Sequence, residues 1–179
     1  MTAQPRFYYD LRDPESYLWA ERVNAVLPEV PEWVPVALAR PPAFRCAEER
    51  ASYAEDLERR AAALELQPLQ LPAEPAETDL ALRAATYAKQ IGRAVAFSLA
   101  AFRQAFAAGR NLDELETVLI AGAACEIHPN ALTKAVENER IAKALREATA
   151  GVGLDTVPVV VDDGRAIEEL PAIVRPGQP

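Results

Sequence analysis

The stretch YYDLRDPESYLW, Tyr8 to Trp19, decides how the chain is read. It is aromatic and apolar as far as Leu11, breaks into a polar turn, and resumes with Tyr17-Leu18-Trp19. Phe7 to Leu11 predicts a short strand. Asp13 has the chemistry of a helix N-cap, Pro14 suits the first helical position, and Glu15 complements the positive end of a helix. The segment is therefore a strand that feeds a helix through the turn Asp13-Pro14-Glu15-Ser16. Trp19, Val23, Val26 and Leu27 carry the helix on along one face, and Pro28 and Pro31 end it.

Working outward, Trp33 to Ala39 predicts a second strand. Pro35 has no N–H for a ladder, so this strand belongs at a sheet edge. Residues 43–66 are charged and alanine-rich with helical spacing, and Gln67 to Pro75, with three prolines, reads as a linker. A long helix is predicted over Thr78–Ala108. Its apolar stripe is Tyr87, Ile91, Val95, Leu99, Phe102 and Phe106, and Gly92 marks a kink. Asn111 and Glu114 resemble a capping box for a helix reaching Cys125. His128-Pro129 opens another, predicted to run to Gly151. Thr156 to Val161 predicts a strand, Asp163-Gly164 a hairpin turn, and Arg165 to Ile167 the start of a return strand. The tail from Pro176 is expected to be disordered.

The chain of 179 residues suits one domain, or a domain with a large insertion, and can bury a core without staples. A net charge of −8, with no basic cluster to offset it, argues against nucleic acid or an anionic membrane as partner. No run approaches the roughly 18 apolar residues of a membrane span. Met1-Thr2-Ala3-Gln4-Pro5-Arg6 lacks the basic start and apolar core of a signal peptide, so the expected compartment is the cytoplasm. Cys46 and Cys125 form no Cys-x-x-Cys and there is one histidine, so no metal site is expected and both thiols are read as reduced.

Four stretches together resemble a known family: FYYDLRDPESYL, EWVPVAL, LALRAATYAKQIGRAVAFSLAAFRQAFAAGRNLDELETVL and TVPVVVDDG. They are similar to the DsbA-like thioredoxin-fold family, and most similar to its branch of 2-hydroxychromene-2-carboxylate isomerases and kappa-class glutathione transferases. The resemblance implies an α/β protein: a thioredoxin fold, with a mixed four-stranded sheet, carrying a large all-helical insertion. Residues 1–42 and 151–179 would form the thioredoxin-like domain and residues 43–150 the insertion. It also implies a cis Val157–Pro158 bond, whose open backbone would pair with a peptide-like thiol cofactor such as glutathione.

Two departures from the family bear on function. The redox branch carries Cys-Pro-x-Cys where this chain has Asp13-Pro14-Glu15-Ser16, so disulfide exchange is not expected. The isomerase and transferase branch usually has a serine in place of Asp13, which helps to hold glutathione as a thiolate. An ionised carboxylate only accepts hydrogen bonds and repels a thiolate. At about 4 Å and an effective dielectric near 20, that repulsion is roughly 4 kcal/mol. The helix end is expected to keep Asp13 ionised, a poor proton donor and weak base near neutral pH. The second departure is at the end of the chain, where RAIEELPAIVRPGQP lacks the aromatic-Gly-x-Asp turn that binds the glutamyl end of glutathione.

Candidate site residues are Asp13 and Ser16 for chemistry, and Asp13, Val157 and Pro158 for a thiol cofactor. Each has a plainer reading: Asp13 as a helix cap, Ser16 as a first-turn residue with no base beside it, Val157–Pro158 as inherited backbone geometry. His128 reads as a helix cap or a surface residue, Cys46 as an inert thiol, and Tyr8, Tyr9, Tyr17 and Trp19 mostly as core, with room for one of them to line the cleft. Two functions stay open. One is an enzyme acting on a small organic molecule, isomerase- or glutathione-transferase-like rather than a dithiol oxidase. The other is a catalytically silent ligand- or partner-binding relative. The residues leave a homodimer open.

Overall fold

A computed structural model describes residues 4–39, 44–73 and 75–171. The elements in order are β1 (Arg6–Tyr9), α1 (Pro14–Ala20), α2 (Val23–Val26), β2 (Glu32–Pro35), α3 (Ala47–Ala63), α4 (Leu80–Gln90), α5 (Ala94–Phe106), α6 (Leu115–Ala123), α7 (Pro129–Glu137), α8 (Glu139–Gly151), β3 (Val159–Asp162) and β4 (Arg165–Ile167). The sheet runs β2-β1-β3-β4. β1 pairs parallel with β2, from Arg6–Glu32 to Tyr9–Pro35, and antiparallel with β3, from Arg6–Val161 to Tyr8–Val159. β2 lies at an edge, where Pro35 removes no needed ladder bond. Asp163 and Gly164 both take positive φ, the geometry of a two-residue hairpin turn, and β4 follows at Arg165.

β1 is buried on both faces, and its side chains alternate between two cores. Phe7 and Tyr9 enter the large core with Trp33 and the helices. Their rings pack with Trp19, Trp33 and Phe102 at centroid distances of 5.0–6.5 Å. Tyr8 enters the small core with Val34, Val36 and Val159, closed by Ala148 and Val152 at the end of α8. Tyr9 also ties the sheet to α5 through a buried 2.6 Å bond between its hydroxyl and Ser98 Oγ.

The helical block breaks more often than its spacing predicts. The long helix over Thr78–Ala108 is two helices. Gly92, at φ 73°, ends α4 in a Schellman turn: Arg93 N donates to Ala88 O at 2.7 Å and Gly92 N to Lys89 O at 3.1 Å. The change of direction dissolves the apolar stripe. Phe102 and Phe106 are buried, Tyr87, Val95 and Leu99 are half-buried, and Ile91 is exposed. The helix predicted from His128 to Gly151 also divides, at Asn138, whose Oδ1 accepts from Arg140 N and caps α8. Asn111 does not cap α6; its Oδ1 accepts from Asp113 N in a local turn. His128 caps α7 as read, with Nδ1 accepting from Asn130 N at 3.2 Å. The first helix divides as well, at Arg22 (φ −129°). The tail from Pro176 lies outside the described residues.

Candidate functional site

The site grows from the loop that joins β1 to α1. Asp13 is the N-cap of α1, with extended backbone (φ −103°, ψ 117°) and Pro14 after it. Its Oδ2 accepts from Ser16 N and from Ser16 Oγ, both at 2.7 Å. Among the described residues Oδ1 accepts only from Glu15 N, at 3.3 Å, and keeps spare capacity. Ser16 is fully buried; besides donating to Asp13, its hydroxyl accepts from Asp10 N at 3.3 Å. A hydroxyl without access and with both partners inside the loop holds the turn together and is not placed to attack a substrate.

The acidity of Asp13 corrects the expectation from the sequence. Burial pushes its carboxyl up to about 6. The donors from Ser16 and Glu15 pull the other way but do not offset the lost hydration, and the charge of Glu15 adds to the rise. Asp13 therefore exchanges a proton close to neutral pH, the range in which a general base works best. The folded chain holds this proton more tightly than the unfolded one, so the contribution of Asp13 is largest at low pH and is lost as pH rises through about 6. Between pH 7.5 and 5 the protein should gain about 1 kcal/mol relative to Asp13→Ser, or roughly 2–4 °C in Tm. Parallel Tm curves for the two proteins over that window would show that Asp13 titrates near its ordinary value.

Two ion pairs that local sequence patterns do not announce hold the turn in place. Asp10 is fully buried and accepts from four N–H groups: Arg12 N, Arg12 Nε, Arg12 Nη2 and Ala39 N. Arg60 of α3 forks onto Glu15, with Nη1–Oε1 at 2.6 Å and Nη2–Oε2 at 2.5 Å.

A cavity of about 180 Å³ opens beside the turn. Its walls are largely apolar, from Leu11, Pro14, Tyr53, Leu71, Phe106 and Leu112. Three arginines reach it, Arg12, Arg50 and Arg110. Arg12 is neutralised by Asp10 at 2.7 Å and Asp79 at 3.7 Å. Arg50 and Arg110 are exposed and form no ion pair among the described residues. Val157–Pro158 is cis. The β1–β3 ladder ends at Tyr8–Val159, so this dipeptide stands at the same end of the sheet as the Asp13 turn. Neither of its residues lines the cavity or hydrogen-bonds to Asp13. Cys46 is exposed at the start of α3, Cys125 is buried, and both are free thiols. Tyr8, Tyr9, Tyr17 and Trp19 are core. Among the described residues no cluster of His, Cys, Asp and Glu is arranged to hold a metal, and no helix is long and apolar enough to cross a membrane.

This layout, a sheet of order 2-1-3-4 with the Asp13 turn at the start of α1 and a helical block inserted after β2, has known counterparts. Residues 6–170 match the DSBA-like thioredoxin domain. The chain belongs to that family. No curated protein sequence matches it. Two solved structures show how far the DSBA-like fold extends. One, a 2-hydroxychromene-2-carboxylate isomerase (HCCA isomerase), superposes with a TM-score of 0.80 at 18% identity, covering 92% of this chain and 88% of the other. A probable DsbA oxidoreductase from Streptomyces coelicolor superposes with a TM-score of 0.74 at 20% identity, covering 93% and 83%. At these identities the likeness establishes the fold. Within the DSBA-like frame, the sequence reading located the turn and the Val157–Pro158 strand. It missed Asp10, Arg12, Arg50, Tyr53 and Arg60, although the last three share a helix face.

Proposed function

We propose that this protein is an acid–base enzyme of the DSBA-like family that isomerises a small, apolar-bodied organic acid, with Asp13 carrying the proton. The observation that carries the reading is the placement of Asp13. A half-buried carboxyl near 6, with one oxygen not fully engaged, stands where the redox relatives keep a thiol. The apolar cavity and its unpaired Arg50 and Arg110 suit an anionic ligand with a hydrophobic ring. The solved isomerase with the same fold is named for a carboxylate of this kind. Glutathione is proposed to bind weakly, because ionised Asp13 repels its thiolate. One observation favours a second reading, a silent binding protein: Oδ2 of Asp13 is wholly engaged in capping.

The test uses 2-hydroxychromene-2-carboxylate as a probe. The expected result is isomerisation without added thiol, together with no reduction of insulin disulfides, since disulfide exchange needs an attacking and a resolving thiol. No turnover, or turnover only with glutathione present, would sink the thiol-free reading. Insulin reduction that depends on Cys46 or Cys125 would restore a redox role.

A further inference from the structure

Helix α3 turns one stripe toward the Asp13 loop. Arg50, Tyr53, Leu57 and Arg60 recur at spacings of three, four and three, which is one helix face. Leu57 is fully buried in the main core, and Arg60 grips Glu15. These two contacts fix the helix against α1. Two turns earlier the same face brings Tyr53 to the cavity wall, with Arg50 beyond it at the same cavity. The Tyr53 ring packs against Phe44 at 5.4 Å. Its hydroxyl makes no hydrogen bond among the described residues. Burial, then the charges of Glu15 and Asp13, push the phenol up to about 12, so it stays protonated and can only give its proton into a hydrogen bond.

The nearby charges all bear on that role. Asp13 and Glu15 come from α1, and Arg60 and Asp56 from α3 itself. Arg12 approaches from the β1–α1 loop, already engaged by Asp10 and Asp79. Glu15 and Asp56 are both bound by Arg60. At the cavity stand one neutral donor and two cations without an ion pair among the described residues, Tyr53, Arg50 and Arg110; Asp13 lies beside it, between the lining residues Arg12 and Pro14, with Oδ1 not fully engaged.

Resting on the acid–base reading above, we propose that Tyr53 is a further catalytic residue: its hydroxyl donates to the ligand oxygen on which negative charge collects while Asp13 moves a proton. In that step Asp13 takes the proton of the hydroxyl on the ligand's C2. The O–H pair forms the C2=O bond as the bond from C2 to the ring oxygen breaks, and the pair of that bond stays on the ring oxygen, a phenolate that Tyr53 holds. Asp13 then returns the proton to the phenolate oxygen. Electrons and atoms balance within the ligand, and no oxidant or thiol enters.

The test is Tyr53→Phe, which keeps the ring against Phe44 and removes only the hydroxyl. With 2-hydroxychromene-2-carboxylate, kcat should fall about 100-fold or more, as on removal of an oxyanion donor, with KM within about threefold and Tm unchanged. A second measurement does not need turnover. In Asp13→Asn, which mimics the carboxyl after it has taken the proton, 4-nitrophenolate serves as the charged-oxygen probe. Adding Tyr53→Phe should weaken its binding roughly tenfold and leave nitrobenzene unaffected. Phenolate affinity that is absent in Asp13→Asn, or unchanged by Tyr53→Phe, overturns the assignment. Weakened phenolate binding in a protein that does not turn over the chromene supports the Tyr53 contact and removes only the isomerase reading.

Discussion

Asp10→Ala should cost about 3–5 kcal/mol of folding stability, the range measured when one partner of a buried ion pair is removed. For a chain of this length that is roughly 10 °C or more in Tm. Asp10 has no exposed surface, and its two oxygens are shared between four donors. Oδ1 takes Arg12 N and Arg12 Nε, each at 3.0 Å. Oδ2 takes Arg12 Nη2 at 2.7 Å and Ala39 N at 2.8 Å. Truncation orphans two backbone N–H groups and leaves the Arg12 guanidinium with Asp79 alone, at 3.7 Å. Asp10→Asn keeps an acceptor and the shape, so it should cost about half as much. Urea titration of the three proteins measures the series. A loss below about 1 kcal/mol for Asp10→Ala would mean that water reaches the pair and screens it as at an open surface.

The Asp10 network also shows where reading the chain stops. Asp13 as cap, Pro14 at the first helical position, Pro35 on an edge and the Asp163-Gly164 turn were all legible, because each is written in adjacent residues whose backbone preferences are strong. Asp10 and Arg12 are two residues apart and look like surface charges. Their partners come from far along the chain: Ala39 N donates to Asp10, and Asp79, just before α4, pairs with Arg12. The divided helices differ in the same way. Gly92 announced an interruption, but Asn138 lies between good helix formers and its cost inside a helix is small, so spacing alone ran through it. The acidity of Asp13 was misread for a related reason. The helix end and its N–H donors are local and favour the charge, whereas the burial that outweighs them depends on distant elements packing over the turn. Likewise the 3-4-3 stripe on α3 was visible as a periodicity, but nothing in it says that Tyr53 faces a cavity and Arg60 faces Glu15.

Asp13→Asn should abolish most activity while leaving the fold intact. Asparagine is as good an N-cap as aspartate, so stability should change by no more than about 1 kcal/mol. The amide has the shape of the carboxyl but cannot take up the proton. Loss of a positioned general base typically removes 100- to 10,000-fold of rate, and kcat on the chromene probe should fall about that far with KM little changed. In the parent, kcat should rise with pH through about 6, as Asp13 loses its proton, and that limb should vanish in the variant. Asp13→Ser separates this role from thiol binding. It should be as inactive without thiol as Asp13→Asn, yet it removes the charge and supplies a hydroxyl donor at the helix end. Glutathione affinity should then rise at least tenfold, about 1.4 kcal/mol, a fraction of the roughly 4 kcal/mol of repulsion relieved at close range. Calorimetry on parent, Asn and Ser proteins reads this directly. Equal glutathione affinity in all three, with turnover unchanged by either substitution, would leave Asp13 as the cap of α1 and nothing more.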